Sequence, residues 1–205
     1  MSGGVIVRVG ILAVQGDFAE HEESFRAAAR AENSEVAVVR VRLPADLTGL
    51  HGLVLPGGES TVMARFMRSH GLAQSVRDWM RASVDHRRQI WGTCAGLILL
   101  ADKVIDKRLG TGHVPDTEPG QGSRHGIETG QTNDTYRDVD APQLLGCLSI
   151  SVVRNSYGGQ RDSFESDVFI SSNGNALHGD NKQTKVVVTS CRGIFIRAPG
   201  IKSFN

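Results

Sequence analysis

A cysteine lies at the centre of the pentapeptide Gly92–Gly96, and the flanks of this pentapeptide constrain the fold more than any other part of the chain. A short apolar run, residues 89–91, precedes it, and a longer apolar run, residues 97–101, follows it. This pattern predicts a buried strand, a tight turn and a helix, with Cys94 at the apex of the turn. Glycine is expected on both sides because a side chain there would collide with the neighbouring strand or helix. The layout is that of a nucleophile elbow in which sulfur replaces the usual hydroxyl.

Two interpretations of Cys94 follow from the pentapeptide. As a nucleophile, Cys94 would be favoured as a thiolate by the helix N-terminus behind it, and the amide of Ala95 would point to where an oxyanion develops. As a structural residue, it would simply be buried in a strand–helix turn, as free cysteines often are. The pentapeptide alone leaves both interpretations open.

Composition narrows the class of protein. A chain of 205 residues with 40% hydrophobic residues predicts one domain, residues 1–205, with a core of its own. The net charge of +1 gives no electrostatic argument for a nucleic-acid partner or a membrane partner. The three cysteines are far apart and form no C-x-x-C motif, which predicts no disulfide framework, no metal site and a reducing compartment.

The N-terminal apolar run, residues 5–14, is predicted to be a buried first strand. Arg8 interrupts it, and no small-residue cleavage site follows, so it does not have the form of a signal peptide. No transmembrane segment is visible in the sequence. These features predict a cytoplasmic protein.

Apolar runs alternate with helical stretches through the first half of the chain, which predicts an α/β fold. The expected sheet is mostly parallel with helices on both faces. Right-handed crossovers then place the loops at Gly57 and Cys94 on the same edge of the sheet. The predicted strands are residues 5–14, 36–39, 52–56 and a strand ending at Trp91, and the predicted helices are a helix after Asp17, residues 60–70, residues 72–84 and a helix from the elbow to about Lys103.

Local signals refine this scheme. Asp17 is predicted to cap the first helix in a capping box with Glu20, and Ser60 to cap the helix after the glycine loop. The second half of the chain is predicted to be rich in strands, at residues 148–153, 186–188 and 194–196.

Residues 106–142 differ in composition from the rest of the chain. This segment is rich in polar residues, glycine and proline and shows almost no apolar periodicity. We interpret it as a disordered surface insertion, with a functional lid as the alternative. Residues 171–184 are predicted to be a second polar loop.

Three further motifs follow predicted strands. The loop Pro56–Thr61 contains paired glycines whose backbone amides can approach a ligand, so Gly57 or Gly58 is a candidate for a second oxyanion donor beside Ala95. Arg154 and Arg197 each stand at the end of a strand. Each is either a solvated surface group or, if the two converge on the cysteine, a binding group for a carboxylate.

Five motifs, taken together and in their order along the chain, resemble one enzyme family. Gly-Gly-Glu-Ser-Thr and Arg-Asn-Ser-Tyr-Gly are the most specific of them. The chain is similar to the glutaminase subunit of pyridoxal 5′-phosphate synthase, a class I, triad-type glutamine amidotransferase. The motifs are residues 9–18, 55–61, 91–97, 154–158 and 195–199.

This resemblance implies a flavodoxin-like glutamine amidotransferase fold and a reaction. L-glutamine would be hydrolysed to glutamate and ammonia without a cofactor, and ammonia would pass to a (β/α)₈-barrel synthase subunit that makes the vitamin B6 ring, in a hetero-oligomer. Cys94 would be the nucleophile that forms a γ-glutamyl thioester. The positions that match the family's glutamine-binding residues are Gly58, Glu59, Ser60, Arg154, Ile196 and Arg197.

The chain departs from the family pattern in its triad. The resemblance implies a His-Pro-Glu motif near the C-terminus, and none of the seven histidines is followed by Pro-Glu. His178, in a polar loop, is given no role. We therefore expect a C-terminally truncated domain that lacks further strands and a final helix, with negligible glutaminase activity. The alternatives are a non-catalytic subunit that docks on the synthase and a cysteine hydrolase of another α/β family.

Overall fold

Four parallel strands form the central sheet of the computed structural model, which describes residues 6–82, 88–106, 144–172 and 187–204. Their order is β2-β1-β3-β4, and every neighbouring pair is parallel. The predicted α/β fold with a mostly parallel sheet is therefore confirmed. The strands are β1 Val7–Leu12, β2 Val36–Val41, β3 Gly52–Leu55 and β4 Gln89–Gly92.

Helices cover both faces of this sheet, as the sequence predicts. On one face, Phe18 and Phe25 of the first helix pack against Val9, Ile11 and Val54 of the strands. On the other face, a larger apolar cluster joins the strands to the remaining helices. The helices are α1 Phe18–Ala31, α2 Ser60–Ser69, α3 Leu72–Arg81 and α4 Ala95–Leu100, and among the described residues none is long and apolar enough to cross a membrane.

The second half of the chain adds five strands in two smaller sheets. One sheet has the order β5-β6-β9, with β5 parallel and β9 antiparallel to β6. The other is an antiparallel pair of β7 and β8. These strands are β5 Ala101–Asp106, β6 Leu148–Arg154, β7 Phe164–Ser172, β8 Val187–Phe195 and β9 Gly200–Phe204, and short 3₁₀ helices lie at Pro44–Leu47 and Gln160–Asp162.

The helix after the elbow is shorter than predicted. It ends at Leu100 instead of about Lys103, because Ala101 begins β5. The carbonyls of Leu99 and Leu100 accept hydrogen bonds from the N–H groups of Leu145 and Cys147, at 2.7 and 3.0 Å. These carbonyls are thereby satisfied by a distant segment instead of by a further helical turn.

Asp17 occupies the predicted N-cap position of α1 without the predicted side-chain bond, and Ser60 does not cap α2. Among the described residues, the Asp17 side chain has no hydrogen-bond partner that would cap α1. Ser60 is the first residue of α2 and is buried. Glu59 occupies the cap, and its carboxylate accepts hydrogen bonds from the N–H of Thr61 at 3.5 Å and from the Thr61 hydroxyl at 3.0 Å. In each case tertiary contacts of the loop before the helix decide which side chain reaches the backbone.

The strands of the second half also differ from the prediction. Residues 186–188 and 194–196 were expected to be separate strands, whereas Val187–Phe195 is one strand, paired along its length with β7. The C-terminal residues, which carry no strand signal of their own, form β9 against β6. Most of the polar segments, residues 107–142 and 173–184, and His178 with them, lie outside the described residues, so the single domain and its insertion stay predictions.

Candidate active site

The turn between β4 and α4 holds Cys94 in a strained backbone conformation. Its φ of +46° and ψ of −106° lie where residues other than glycine are rare. Hydrogen bonds tie the turn to β3: the Thr93 N–H donates to the Leu55 carbonyl at 3.1 Å, and the Gly96 N–H donates to the Pro56 carbonyl at 3.2 Å. The surrounding structure therefore fixes the position of the cysteine.

The two glycines of the pentapeptide are required sterically, which confirms the expectation from sequence. A Cβ atom on Gly92 would lie 2.5 Å from the carbonyl carbon of Gly96, inside the helix that follows. A Cβ atom on Gly96 would lie 2.0 Å from the carbonyl oxygen of Leu55 in β3. Both partners are backbone atoms, so neither clash can be relieved by a side-chain rotation.

Two backbone amides converge on the sulfur of Cys94. They are the N–H groups of Ala95, at the start of α4, and of Gly58, in the loop after β3. Gly57 also borders the cysteine, since a Cβ atom on it would lie 3.4 Å from the Cβ of Cys94. The role of Gly57 as an oxyanion donor stays a prediction, and the amide that reaches the sulfur from this loop is that of Gly58.

The electrostatics of Cys94 favour the thiol over the thiolate. Burial raises the pKa of the Cys94 thiol above its usual value, and the nearby charge of Asp17 raises it further. The amides of Ala95 and Gly58 and the charge of Arg197 act in the opposite direction. Burial outweighs the hydrogen bond from Ala95 at the N-terminus of α4.

Residues directly after β1 support the glycine loop. The side-chain oxygen of Gln15 accepts a hydrogen bond from the Glu59 N–H at 2.8 Å. Gly16 adopts a φ of +94°, and a Cβ atom on it would lie 1.8 Å from the Gly57 carbonyl oxygen. Sequence reasoning assigned no site role to Gln15 or Gly16. The available signal was their place at the carboxyl end of a central parallel strand, the edge where ligands bind in such sheets.

The two arginine motifs meet at the same site. The Ser156 N–H donates to the Ala198 carbonyl at 2.9 Å, which joins the loop after β6 to the loop before β9. Arg154 Nη2 lies 3.8 Å from Glu59 Oε1, and the charge of Arg197 acts on Cys94. The structure thus brings both arginines to the cysteine edge. Of the other predicted residues, Ser60 is buried beneath the loop and Ile196 is half exposed.

Sequence reasoning also missed Asp17 and His21 at this edge. His21 Nε2 lies 3.2 Å from the hydroxyl of Thr93 and 3.9 Å from Asp17 Oδ2. The His21 ring meets the ring of Trp91 edge-on, with 6.5 Å between their centroids. The sequence signal was the position of both residues shortly after β1, five and nine residues past its last residue, Leu12.

The part of the chain that carries the site matches a known protein family. The sequence model of the SNO glutamine amidotransferase family matches residues 11–114, a segment that contains Gln15, the glycine loop and Cys94. The chain belongs to the SNO glutamine amidotransferase family. The resemblance drawn from the five motifs is thereby confirmed at the level of the family.

Individual relatives extend the family match over most of the chain. The pyridoxal 5′-phosphate synthase subunit PdxT of Korarchaeum cryptofilum is 35% identical over 195 residues, which are 95% of this chain and 75% of that protein. The PdxT subunit of Deinococcus radiodurans is 40% identical over 156 residues, 76% of this chain and 60% of that protein. A crystal structure of a glutamine amidotransferase superposes with a TM-score of 0.59 and 29% identity, over 96% of this chain and 75% of that one.

Proposed function

We propose that this family member is a glutaminase that hydrolyses L-glutamine to glutamate and ammonia. We further propose that the ammonia is supplied to pyridoxal 5′-phosphate synthase for vitamin B6 biosynthesis, as the names of its relatives suggest. One observation carries the proposal: Cys94 stands on a strained turn at the edge of the sheet, with the amides of Ala95 and Gly58 directed at its sulfur. A structural cysteine needs neither feature.

The reaction uses these groups in two steps. The Cys94 sulfur attacks the γ-carboxamide carbon while a general base takes the thiol proton, and the N–H groups of Ala95 and Gly58 donate to the oxyanion that forms. The tetrahedral intermediate collapses when its nitrogen receives that proton, so ammonia leaves and a γ-glutamyl thioester remains. Water then cleaves the thioester to glutamate and restores the thiol.

Charged residues around Cys94 match the ends of an amino-acid substrate. We assign the α-carboxylate of glutamine to Arg154 and Arg197, since a guanidinium binds a carboxylate with paired hydrogen bonds. Glu59, which lies beside Arg154, would complement the positive α-amino group. Gly58 and Ser60, with Ile196 across the site, complete the proposed substrate pocket.

The partner and the compartment are part of the same proposal. We propose that the chain assembles with a (β/α)₈-barrel synthase subunit as a hetero-oligomer, and that it binds neither nucleic acid nor a membrane. Cys94, Cys147 and Cys191 are all unpaired in the described residues, which fits a reducing compartment. We therefore place the reaction in the cytoplasm.

A second candidate function rests on the triad. The 205 residues contain no His-Pro-Glu motif, which the family resemblance implies as the source of the general base. Because the Cys94 thiol holds its proton more tightly than usual, attack without a base loses orders of magnitude in rate. A polypeptide of these 205 residues would then bind glutamine and the synthase without turnover.

Substrate protection tests the glutamine site without requiring turnover. Iodoacetamide should alkylate Cys94, and saturating L-glutamine should slow this alkylation, whereas L-asparagine, which is one methylene shorter, should protect much less. Peptide mass spectrometry gives the rate at each cysteine. Alkylation of Cys94 that is indifferent to glutamine would refute the glutamine site.

Ammonia release separates the two candidate functions. A polypeptide of these 205 residues, mixed with the synthase subunit and L-glutamine, is expected to release ammonia no faster than its Cys94→Ala variant. Co-sedimentation with the synthase in the same mixture would then support a docking subunit. Release that depends on Cys94 would instead establish an active glutaminase and overturn the expected impairment.

A further inference from the structure

His21, on the first turn of α1, bridges to the nucleophile turn. Its side chain is only 17% exposed, and its Nε2 lies 3.2 Å from the hydroxyl of Thr93, the residue immediately before Cys94. The ring of Trp91 borders it edge-on. Helix α1 therefore contacts the turn that carries the nucleophile through one nearly buried imidazole.

Asp17, one turn earlier, reaches the glycine loop. Its carboxylate oxygens would lie 3.2 and 3.4 Å from a Cβ atom on Gly57, and its N–H donates to the Gly57 carbonyl at 3.4 Å. Asp17 Oδ2 is 3.9 Å from His21 Nε2, and the His21 N–H donates to the Asp17 carbonyl at 3.2 Å. The start of α1 thus contacts both loops, one through Asp17 and the other through His21.

We propose that Asp17 and His21 are positioning residues that hold the nucleophile turn and the glycine loop in register with each other. The proposal rests on the glutaminase function, in which the two oxyanion donors come from different loops, Ala95 from the turn and Gly58 from the glycine loop. A shift of about 1 Å between such groups is sufficient to lower a rate by roughly 100-fold. Neither residue contacts substrate in this account.

The test measures a ratio for Cys94: its rate of reaction with an electrophilic glutamine analogue, divided by its rate with iodoacetamide, which needs no pocket. Thr93→Val is nearly isosteric and removes the hydroxyl, and is expected to lower this ratio roughly tenfold. Thr93→Ser keeps the hydroxyl and should stay within about twofold of the unchanged protein.

The histidine is tested in the same assay. His21→Ala should also lower the ratio roughly tenfold, and His21→Gln, whose amide can donate to Thr93, should recover part of it. The ratio for the double variant His21→Ala/Thr93→Val should be no lower than for either single variant, because the two substitutions remove the same contact. His70→Gln is the matched control, since His70 is exposed at the end of α2, and it should leave the ratio unchanged.

Two results would overturn the proposal in distinguishable ways. If L-glutamine does not slow the labelling of Cys94 by the analogue in the unchanged protein, the glutamine site fails and the proposal fails with it. If the unchanged protein passes this test and Thr93→Val keeps the ratio of the unchanged protein, the positioning role is refuted while the glutamine site stands. The positioning role is also refuted if the effects of His21→Ala and Thr93→Val on the ratio simply multiply in the double variant. Should His21→Ala not fold, the Thr93→Val and Thr93→Ser pair decides.

Discussion

The central sheet and the β7–β8 hairpin are built on different principles. In the central sheet, Leu55, Val76 and Leu99 are fully enclosed between strands and helices. In the hairpin, Phe169 and Ile194 are 71% and 69% exposed, and the aromatic contact of note is the stack of Phe164 on Phe195, with 4.8 Å between ring centroids. The first region holds its shape through long-range burial, and the second through pairing between neighbouring strands.

This difference explains which groups each region contributes to the site. The reactive sulfur and its two amide donors all come from loops of the central sheet, where backbone contacts leave little freedom. From the second half of the chain come Arg154 and Arg197, long side chains whose charge acts over several ångströms. Placement of the nucleophile should therefore depend on the packing of the central sheet, whereas the second half mainly contributes charged side chains to the site.

The largest expected effect comes from a methyl group at Gly96. Gly96→Ala places a Cβ atom 2.0 Å from the Leu55 carbonyl oxygen, so strand and helix must separate. We expect a loss of about 3 kcal/mol in the free energy of unfolding. Gly159→Ala in the second half, where the nearest atom is a side-chain oxygen at 3.6 Å, should change stability by less than about 0.5 kcal/mol. Urea unfolding of both variants checks this, and equal losses would refute the contrast between the regions.

Truncation of a core side chain should rank next. Leu72→Ala, at a fully buried position of α3, is expected to cost about 2–3 kcal/mol, because it leaves a cavity. Phe169→Ala in the hairpin removes a larger side chain that is mostly in water and should cost under about 1 kcal/mol. The free energy of unfolding is measured for both variants. A larger loss for Phe169→Ala than for Leu72→Ala would contradict the contrast between the two regions.

A buried carboxylate gives the same contrast in ionic form. Glu22 on α1 accepts hydrogen bonds from Arg26 and Arg40, and the hydrogen bond from Arg40 holds the pKa of Glu22 below its usual value. Because the pKa is lower in the folded state, this carboxylate stabilises the fold above pH about 4.5, and the contribution is lost as the pH falls through the folded-state pKa.

Glu22→Gln should therefore lower the Tm at pH 7 and flatten its decline in acid. Glu165→Gln, which breaks an exposed pair with Arg192 in the hairpin, should change the Tm very little. Thermal melts between pH 3 and 7 give both curves. Parallel pH dependence of Glu22→Gln and the unchanged protein would contradict the assignment.

The smallest expected effect is on the ionisation of Cys94. Asp17→Asn removes a charge that raises the pKa of the thiol, so that pKa should fall and alkylation at neutral pH should quicken. Arg197→Gln removes the opposing charge, so the pKa should rise and alkylation should slow. The pH dependence of iodoacetamide labelling measures both, with Asp78→Asn on α3 as the control. Shifts of the same sign would contradict the proposed placement of these charges.

The sequence predicted the parts of this molecule that depend on short-range pattern. The alternation of apolar runs gave the parallel sheet, and the pentapeptide around Cys94 gave the strained turn, since both follow from steric and burial rules within a few residues. The hydrogen bonds of the capping side chains could not be predicted in this way. Asp17 stands at the N-cap of α1, yet its carboxylate lies beside Gly57, a contact between residues 40 positions apart in the chain.

The second half shows the same limit in its strands. The strand Val187–Phe195 was expected in two pieces because it contains polar residues, and it is continuous because it pairs with β7. The site also depends on such contacts. Gln15 and His21 join it only because α1 and the loops of β3 and β4 meet at one edge of the sheet, which single motifs do not encode.

Selective labelling of the three cysteines tests the central claim most directly. An electrophilic glutamine analogue, applied below saturation, should modify Cys94 much faster than Cys147 or Cys191, and L-glutamine should suppress this modification. Cys191 is the most exposed of the three, so accessibility alone predicts the opposite order. Preferential labelling of Cys94 that glutamine prevents is the result we expect. Faster labelling of Cys191, or equal labelling of all three in folded protein, would contradict a glutamine site built around Cys94.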